Sequence, residues 1–200
     1  MKKWYSLIDK IYRIENLKLA FKRVKKNNGA PGIDGETVLD FDLKLDENIK
    51  FLHEKLKTNT YAPSPVRRTE IGKPDGGVRL LGIPTVKDRV VQQAIVNIIE
   101  PIFDATFHPS SYGYRPNRSQ HQAVAKDERF MNGYGLTHVV DMDLSKCFDT
   151  LDHELIIDAI AERISDGSVL NLINAFLKSG VLQDGIFTET EVGSPQGGLC

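Results

Sequence analysis

The chain has 200 residues, 40% of them hydrophobic and 26% charged, which is ordinary for a soluble globular protein and enough to bury a core in one large domain or two small ones. Two cysteines, Cys147 and Cys200, make neither a disulfide framework nor a zinc-ligand spacing, so a reducing, cytoplasmic setting is expected. The N-terminal MKKWYSLIDKIYRIENLK is broken by charge every few residues, and no later run is long enough to span a bilayer, so no signal peptide and no membrane partner are expected. A net charge of −1 hides two unlike halves: residues 1–100 hold 19 Lys and Arg against 13 Asp and Glu, and residues 101–200 hold 7 against 14. A basic half can follow phosphates, and an acidic half can hold a divalent metal.

In chain order, Trp4, Leu7, Ile8, Ile11, Ile14, Leu17, Phe21 and Val24 recur at spacings of three and four, predicting an amphipathic helix over 3–26. Lys22, Arg23, Lys25 and Lys26 cluster at its end, where they suit both an RNA backbone and the helix dipole. The stretch NNGAPGIDG (27–35) breaks the helix, and a second is predicted from Thr37 to Lys57, with Thr37 and Asp40 spaced as a capping box. VRRTEI, a turn KPDGG and VRLLGI predict a β-hairpin over 66–83. Pro84, Thr85 and Asp88 then open a helix whose apolar face runs from Val86 to Phe103. HPSSYGYRPNRS (108–119) reads as a loop, and Gln120–Asn132 as a short helix. VVDMDL (139–144) reads as a strand, Leu155–Ile164 and Leu170–Leu177 as helices, and GVLQDGIFTETEVG (180–193) as a second hairpin. This irregular alternation predicts α+β.

Three stretches carry chemistry. On a strand, Asp141 and Asp143 would share one face, where two carboxylates repel unless a cation or water lies between them. Strand-borne acids of this kind hold magnesium in phosphoryl-transfer sites. The hairpin EIGKPDGGVRLLGIP flanks its turn with Lys73 and Arg79, a point charge and a bidentate fork suited to a polyphosphate. It is not a P-loop, because no G-x-x-x-x-G-K-[ST] occurs. GSPQGGL (193–199) is a tight small-residue turn in which Gln196 could hydrogen-bond a ligand. The D-x-D at 141–143 also fits a sugar-nucleotide transferase, but that class needs a nucleotide-binding βαβ unit before the acids, and helices with a basic hairpin stand there instead.

Taken together and in order, these blocks resemble a reverse transcriptase of the bacterial group II intron type, with maturase activity. NNGAPGIDG resembles that lineage's N-terminal extension motif. KPDGGVRLLGIPTVKDRVVQQAI and EPIFDATFHPSSYGYRPNRSQHQAV resemble its fingers blocks. VVDMDLSKCFDTLDHELI resembles the palm block with the first catalytic aspartate, and GSPQGGL the block that supports the nascent base pair. The resemblance implies the fingers and partial palm of a right-handed polymerase: mostly helical, with a fingers β-hairpin and a partial antiparallel palm sheet. It divides the chain into an N-terminal extension with a loop like that motif (1–60), fingers (61–136) and partial palm (137–200).

Carried over by position, the resemblance makes Asp143 the catalytic metal ligand, with the Leu144 carbonyl assisting, and Mg²⁺ the cofactor. Phe148 becomes the steric gate against a ribose 2′-hydroxyl. Lys73 and Arg79 would bind the incoming triphosphate, and Gln196 would sit beside its sugar and base. Arg115, Asn117 and Arg118 would touch the template, and Lys22, Arg23, Lys25 and Lys26 intron RNA. Asp141 falls where the family allows several residues and takes no catalytic role. Implied partners are an RNA template, intron RNA, a DNA primer and deoxynucleotide triphosphates. The family's Tyr-Ala-Asp-Asp block would fall beyond Gly198, so the 200-residue chain alone is expected to be catalytically silent, with its Mg²⁺ site unfilled and an uncovered palm face open to self-association. The alternative from another class is a non-catalytic, maturase-type module that grips intron RNA.

Overall fold

Leu7, Ile11, Leu17, Phe21 and Val24, the apolar series behind the expected N-terminal helix, are all buried. In the computed structural model, which describes residues 3–72 and 76–194, Leu7 stands just before α1 (Ile8–Ile11) and the others lie on α1 and α2 (Ile14–Asn27). The chain is extended at Arg13, with φ −54° and ψ 134°. Trp4 precedes both helices in a bridge: its N–H donates to the Arg163 carbonyl at 2.8 Å and its carbonyl accepts from the Ser165 N–H at 2.8 Å. One oxygen of Asp166 accepts from the N–H groups of Leu7 (2.6 Å) and Ile8 (2.9 Å). Its other oxygen accepts from Ser168 (3.0 Å) and Val169 (3.3 Å). A single carboxylate thus caps both α1 and α9 (Gly167–Leu177), satisfying donors that helix starts leave open.

The second expected helix is also divided, into α3 (Val38–Leu43) and α4 (Leu45–Lys57), because Lys44 leaves the helical region at φ −115°, ψ 30°. The predicted capping box forms: Thr37 Oγ1 accepts from the Asp40 N–H at 3.1 Å, and the Asp40 carboxylate accepts from the Thr37 N–H at 3.0 Å. Phe21 stacks on Phe41 with ring centroids 4.9 Å apart. Ile49, Leu52 and Leu56 of α4 are buried, as are Val86, Val90, Val91 and Ala94 of α5 (Val86–Asp104).

Both predicted hairpins are present, as β1 (Val66–Gly72) with β2 (Val78–Ile83), and β3 (Val181–Gln183) with β4 (Ile186–Thr188). They join in one mixed sheet of order β2-β1-β3-β4, with a parallel β1–β3 contact between two antiparallel pairs. Arg67 pairs with Ile83 across the antiparallel β1–β2 ladder, and Val66 pairs with Val181 across the parallel β1–β3 contact. Each hairpin alone would be marginal, and joining supplies the four strands that a stable small sheet needs.

Residues 1–99 and 146–199 form one compact unit, and residues 100–145 a second that includes the end of α5. The second unit contains α6 (Gln120–Tyr134), opened by a Ser119–Gln122 capping box where the predicted helix begins. The first unit closes with α7 (Cys147–Thr150) and α8 (His153–Ala161) ahead of α9.

The expected strand at 139–144 is not formed. Residues 137–144 are irregular, and Val139, Val140, Met142 and Leu144 are 80, 79, 86 and 75% exposed. No described strand pairs with them, so the alternation in their sequence has neither a ladder nor an apolar layer to align it.

Candidate nucleotide and nucleic-acid site

The glycine-rich loop 28–35 is held by two arginines absent from the expected site. Arg67, on β1, donates through Nε and Nη2 to the Pro31 carbonyl at 3.1 and 2.8 Å. Arg89, on α5 and buried, donates from Nη2 to the Ala30 carbonyl at 3.0 Å. Burial lowers the pKa of Arg89, and the negative charge of Asp34 opposes that shift. Gly32 lies so close to the chain at Pro84–Thr85 that a Cβ would stand 2.7 Å from the Thr85 Cα and backbone N. Glu36 closes the loop with an ion pair to Lys87 at 3.0 Å. Two consecutive carbonyls gripped by guanidinium groups make this loop a shaped extension of the α5 start.

The basic end of α2 divides by environment. Arg23 donates to Asn97 Oδ1 at 2.6 Å, and Lys25 pairs with Asp42 at 2.7 Å. Lys22 and Lys26 are exposed. On β2, Arg79 is exposed and stands opposite Ile71 in the ladder. Lys73 and Gln196 lie outside the described residues.

In the second unit, Arg115 braces the 108–119 loop. Its Nε donates to Asp104 Oδ1 (2.7 Å), its Nη1 to the carbonyls of His108 and Ser111 (both 3.0 Å), and its Nη2 to the Asp104 carbonyl (3.0 Å). The Nε bond and the positive charges of Arg115 and Arg118 hold the Asp104 carboxyl below its usual range. Arg115 also lies 5.4 Å over the Phe107 ring. With four donors turned inward, Arg115 shapes the loop, whereas Asn117 and Arg118 are exposed on it. Asn117 takes a left-handed φ of 59°, and Arg118 lies 5.7 Å over the Tyr112 ring.

Asp141 and Asp143 are both exposed in the irregular 137–144 segment. Among the described residues no group of three or more His, Cys, Asp or Glu is placed to hold a metal ion. The Asp143 carboxylate and the Leu144 carbonyl are two oxygen donors, fewer than the six that magnesium takes. Phe148, in the first unit, sits on α7 and is partly exposed. The turn is entered through Lys146 at a left-handed φ of 52° and held by the Thr150 hydroxyl on the Lys146 carbonyl at 3.1 Å.

Sequence reasoning missed Arg67, Arg89, Asp166 and His153, whose partners lie 36 to 159 positions away. The only sequence signal was the glycine and proline content of 27–35, which marks a close approach without naming its partner.

The model of the family described as reverse transcriptase (RNA-dependent DNA polymerase) matches residues 71–200. With the mixed helices and strands of the fold, this places the chain in the reverse transcriptase family, as a fingers and palm segment of α+β class. Within that family it is of the group II intron type. It is 38% identical over 184 residues to the group II intron-encoded protein LtrA of Lactococcus lactis subsp. cremoris, covering 90% of this chain and 30% of that protein. Protein YkfC of Escherichia coli (strain K12) is 37% identical over 177 residues, covering 87% of this chain and 46% of that protein. The nuclear intron maturase 1, mitochondrial, of Arabidopsis thaliana is 30% identical over 129 residues, covering 61% of this chain and 18% of that protein. The chain thus spans less than half the length of these curated relatives. Among the described residues no helix is long and apolar enough to cross a membrane.

Proposed function

We propose that this chain supplies the fingers and part of the palm of an RNA-directed DNA polymerase serving a group II intron-like element, with residues 1–60 as extension, 61–136 as fingers and 137–200 as partial palm. The observation that carries the reading is the family match over 71–200, which spans every residue assigned to nucleotide, metal and template. Arg79 on its exposed strand, with Lys73, takes the triphosphate of a deoxynucleotide through charge-assisted hydrogen bonds. The Phe148 ring fills the space a 2′-hydroxyl would need, and Gln196 borders the same nucleotide. Exposed Asn117 and Arg118 follow the RNA template on the loop that Arg115 shapes. Mg²⁺ bound at Asp143 would stabilise charge on the transferring phosphate, with further ligands from outside the described residues.

Primer extension on an RNA template tests this in a chimera whose matching LtrA stretch of 184 residues is replaced by this chain. The chimera extends the primer, and Asp143→Asn lowers the rate by about a hundredfold to a thousandfold, the scale of losing a transition-state electrostatic contact. Extension at an unchanged rate in Asp143→Asn overturns the assignment.

Exposed Lys22 and Lys26 at the end of α2 favour a second role, in which the N-terminal part grips intron RNA without chemistry. Titrating the 200-residue chain with structured RNA at about 50 and 200 mM salt checks it, since each phosphate contact contributes roughly 0.7–0.9 to the slope of log affinity on log salt. Lys22→Ala with Lys26→Ala reduces that slope by about one to two. A salt-independent affinity refutes the grip.

A further inference from the structure

The segment that carries Phe148 is too short to place itself. A four-residue helix is unstable alone, since helix nucleation is unfavourable and few of its backbone groups find partners inside it. The position of α7 is therefore set from outside, by Val192–Ser194. The Ser194 N–H donates to the Phe148 carbonyl at 2.7 Å, and the Gly193 N–H to the Leu151 carbonyl at 2.7 Å. Asp152 and Val192 form an antiparallel bridge beside them. Gly193 adopts φ +81°, and a Cβ there would stand 2.9 Å from the Phe148 carbonyl oxygen and 2.8 Å from that of Asp149. Only glycine allows this approach.

A third bond crosses the junction, and a side chain makes it. His153, only 4% exposed at the start of α8, places Nε2 at 2.7 Å from the Gly193 carbonyl oxygen. A carbonyl can only accept, so Nε2 carries the proton. Nδ1 is buried without a hydrogen-bond partner among the described residues. In this buried site the Nε2 bond is the polar contact that the ring makes among the described residues. That bond adds a side-chain tie to the register that Gly193 already sets, because His153 meets the Gly193 carbonyl in this alignment.

We propose that His153 is a positioning residue for sugar selection. By holding the Gly193 carbonyl it locks Phe148 to Val192–Ser194, so the sugar gate keeps one fixed position. The sugar-selection part rests on reading Phe148 as the gate.

Two arms test it. In the 200-residue chain, His153→Phe and His153→Met keep apolar volume without a donor, and His153→Gln keeps a donor of similar reach. Amide exchange of Gly193 and Ser194 accelerates about tenfold or more in the donor-free variants, the scale of one lost buried hydrogen bond. The ¹⁹F signal of fluorophenylalanine at 148 broadens or splits in them. His153→Gln restores both readouts to within about twofold of the parent chain. Exchange and ¹⁹F signals unchanged in a folded donor-free variant overturn the proposal, as does a His153→Gln variant that behaves like them. The second arm measures deoxy- over ribonucleotide preference in the LtrA chimera, with Phe148→Ala as reference. Relaxed preference in Phe148→Ala with unchanged preference in His153→Phe overturns the coupling. Unchanged preference in Phe148→Ala refutes the gate reading instead, and the clamp then stands or falls on the first arm.

Discussion

Asp88 carries a charge that its surroundings only half accommodate. Its carboxylate accepts from the hydroxyls of Thr85 (2.6 Å) and Tyr61 (2.7 Å) and from the Ser64 N–H (3.3 Å). Burial nonetheless raises its pKa above the usual 3.8, outweighing those bonds, and the charge of Asp34 pushes the same way. The folded chain therefore holds this proton at pH values where the unfolded chain has released it. Its contribution to stability is fullest below the ordinary aspartate range and declines as pH rises through the raised folded value. Asp88→Asn removes that dependence. The stability of the parent chain minus that of the variant, from thermal unfolding at several pH values between about 3 and 7, falls with pH. A flat or rising difference would contradict the burial argument. Sequence spacing named Asp88 as a capping acid, and it does accept at the helix start. Tyr61 as its partner was not legible, because that contact depends on where the segment entering β1 crosses α5.

Elements set by near neighbours were readable, and elements set by distant ones were not. The Thr37–Asp40 box, the Ser119 start of α6 and both hairpins follow from residues a few positions apart. The break after α1, where the Tyr12 carbonyl meets the His53 ring at 2.8 Å, the joining of the hairpins through β1–β3 and the loss of the 139–144 strand follow from partners far along the chain or absent from the described sheet. The loop 28–35 lies between these cases: its glycines announce an unusual path, while Arg67, Arg89 and the Thr85 backbone define it. Gly32→Ala accordingly destabilises the chain by about 1–3 kcal/mol, since the added methyl meets backbone and not a side chain that can swing aside. Urea unfolding measures this. A loss below about 0.5 kcal/mol would mean that the loop moves off α5 at little cost.

Across the whole chain, burial is distributed unevenly. Among the described residues, every buried apolar side chain lies in the unit formed by residues 1–99 and 146–199, while α6 buries none. Val139, Val140, Met142 and Leu144 stand exposed on a segment with no strand beside it. An extended apolar run with free backbone groups is a template for pairing with another chain. Four such side chains from each of two copies contribute on the order of 10–20 kcal/mol if fully covered. Association itself opposes this by about 4–15 kcal/mol. The upper part of that range favours self-association of the 200-residue chain, and a net of about 8 kcal/mol corresponds to a dissociation constant of 1 μM. Sedimentation velocity at rising protein concentration shows a growing dimer or larger species. Val140→Lys with Met142→Lys, two exposed positions whose charge leaves the buried core untouched, returns the chain to a monomer. Persistence of the same species in that double variant would place the contact elsewhere on the surface and remove the 139–144 segment as its cause.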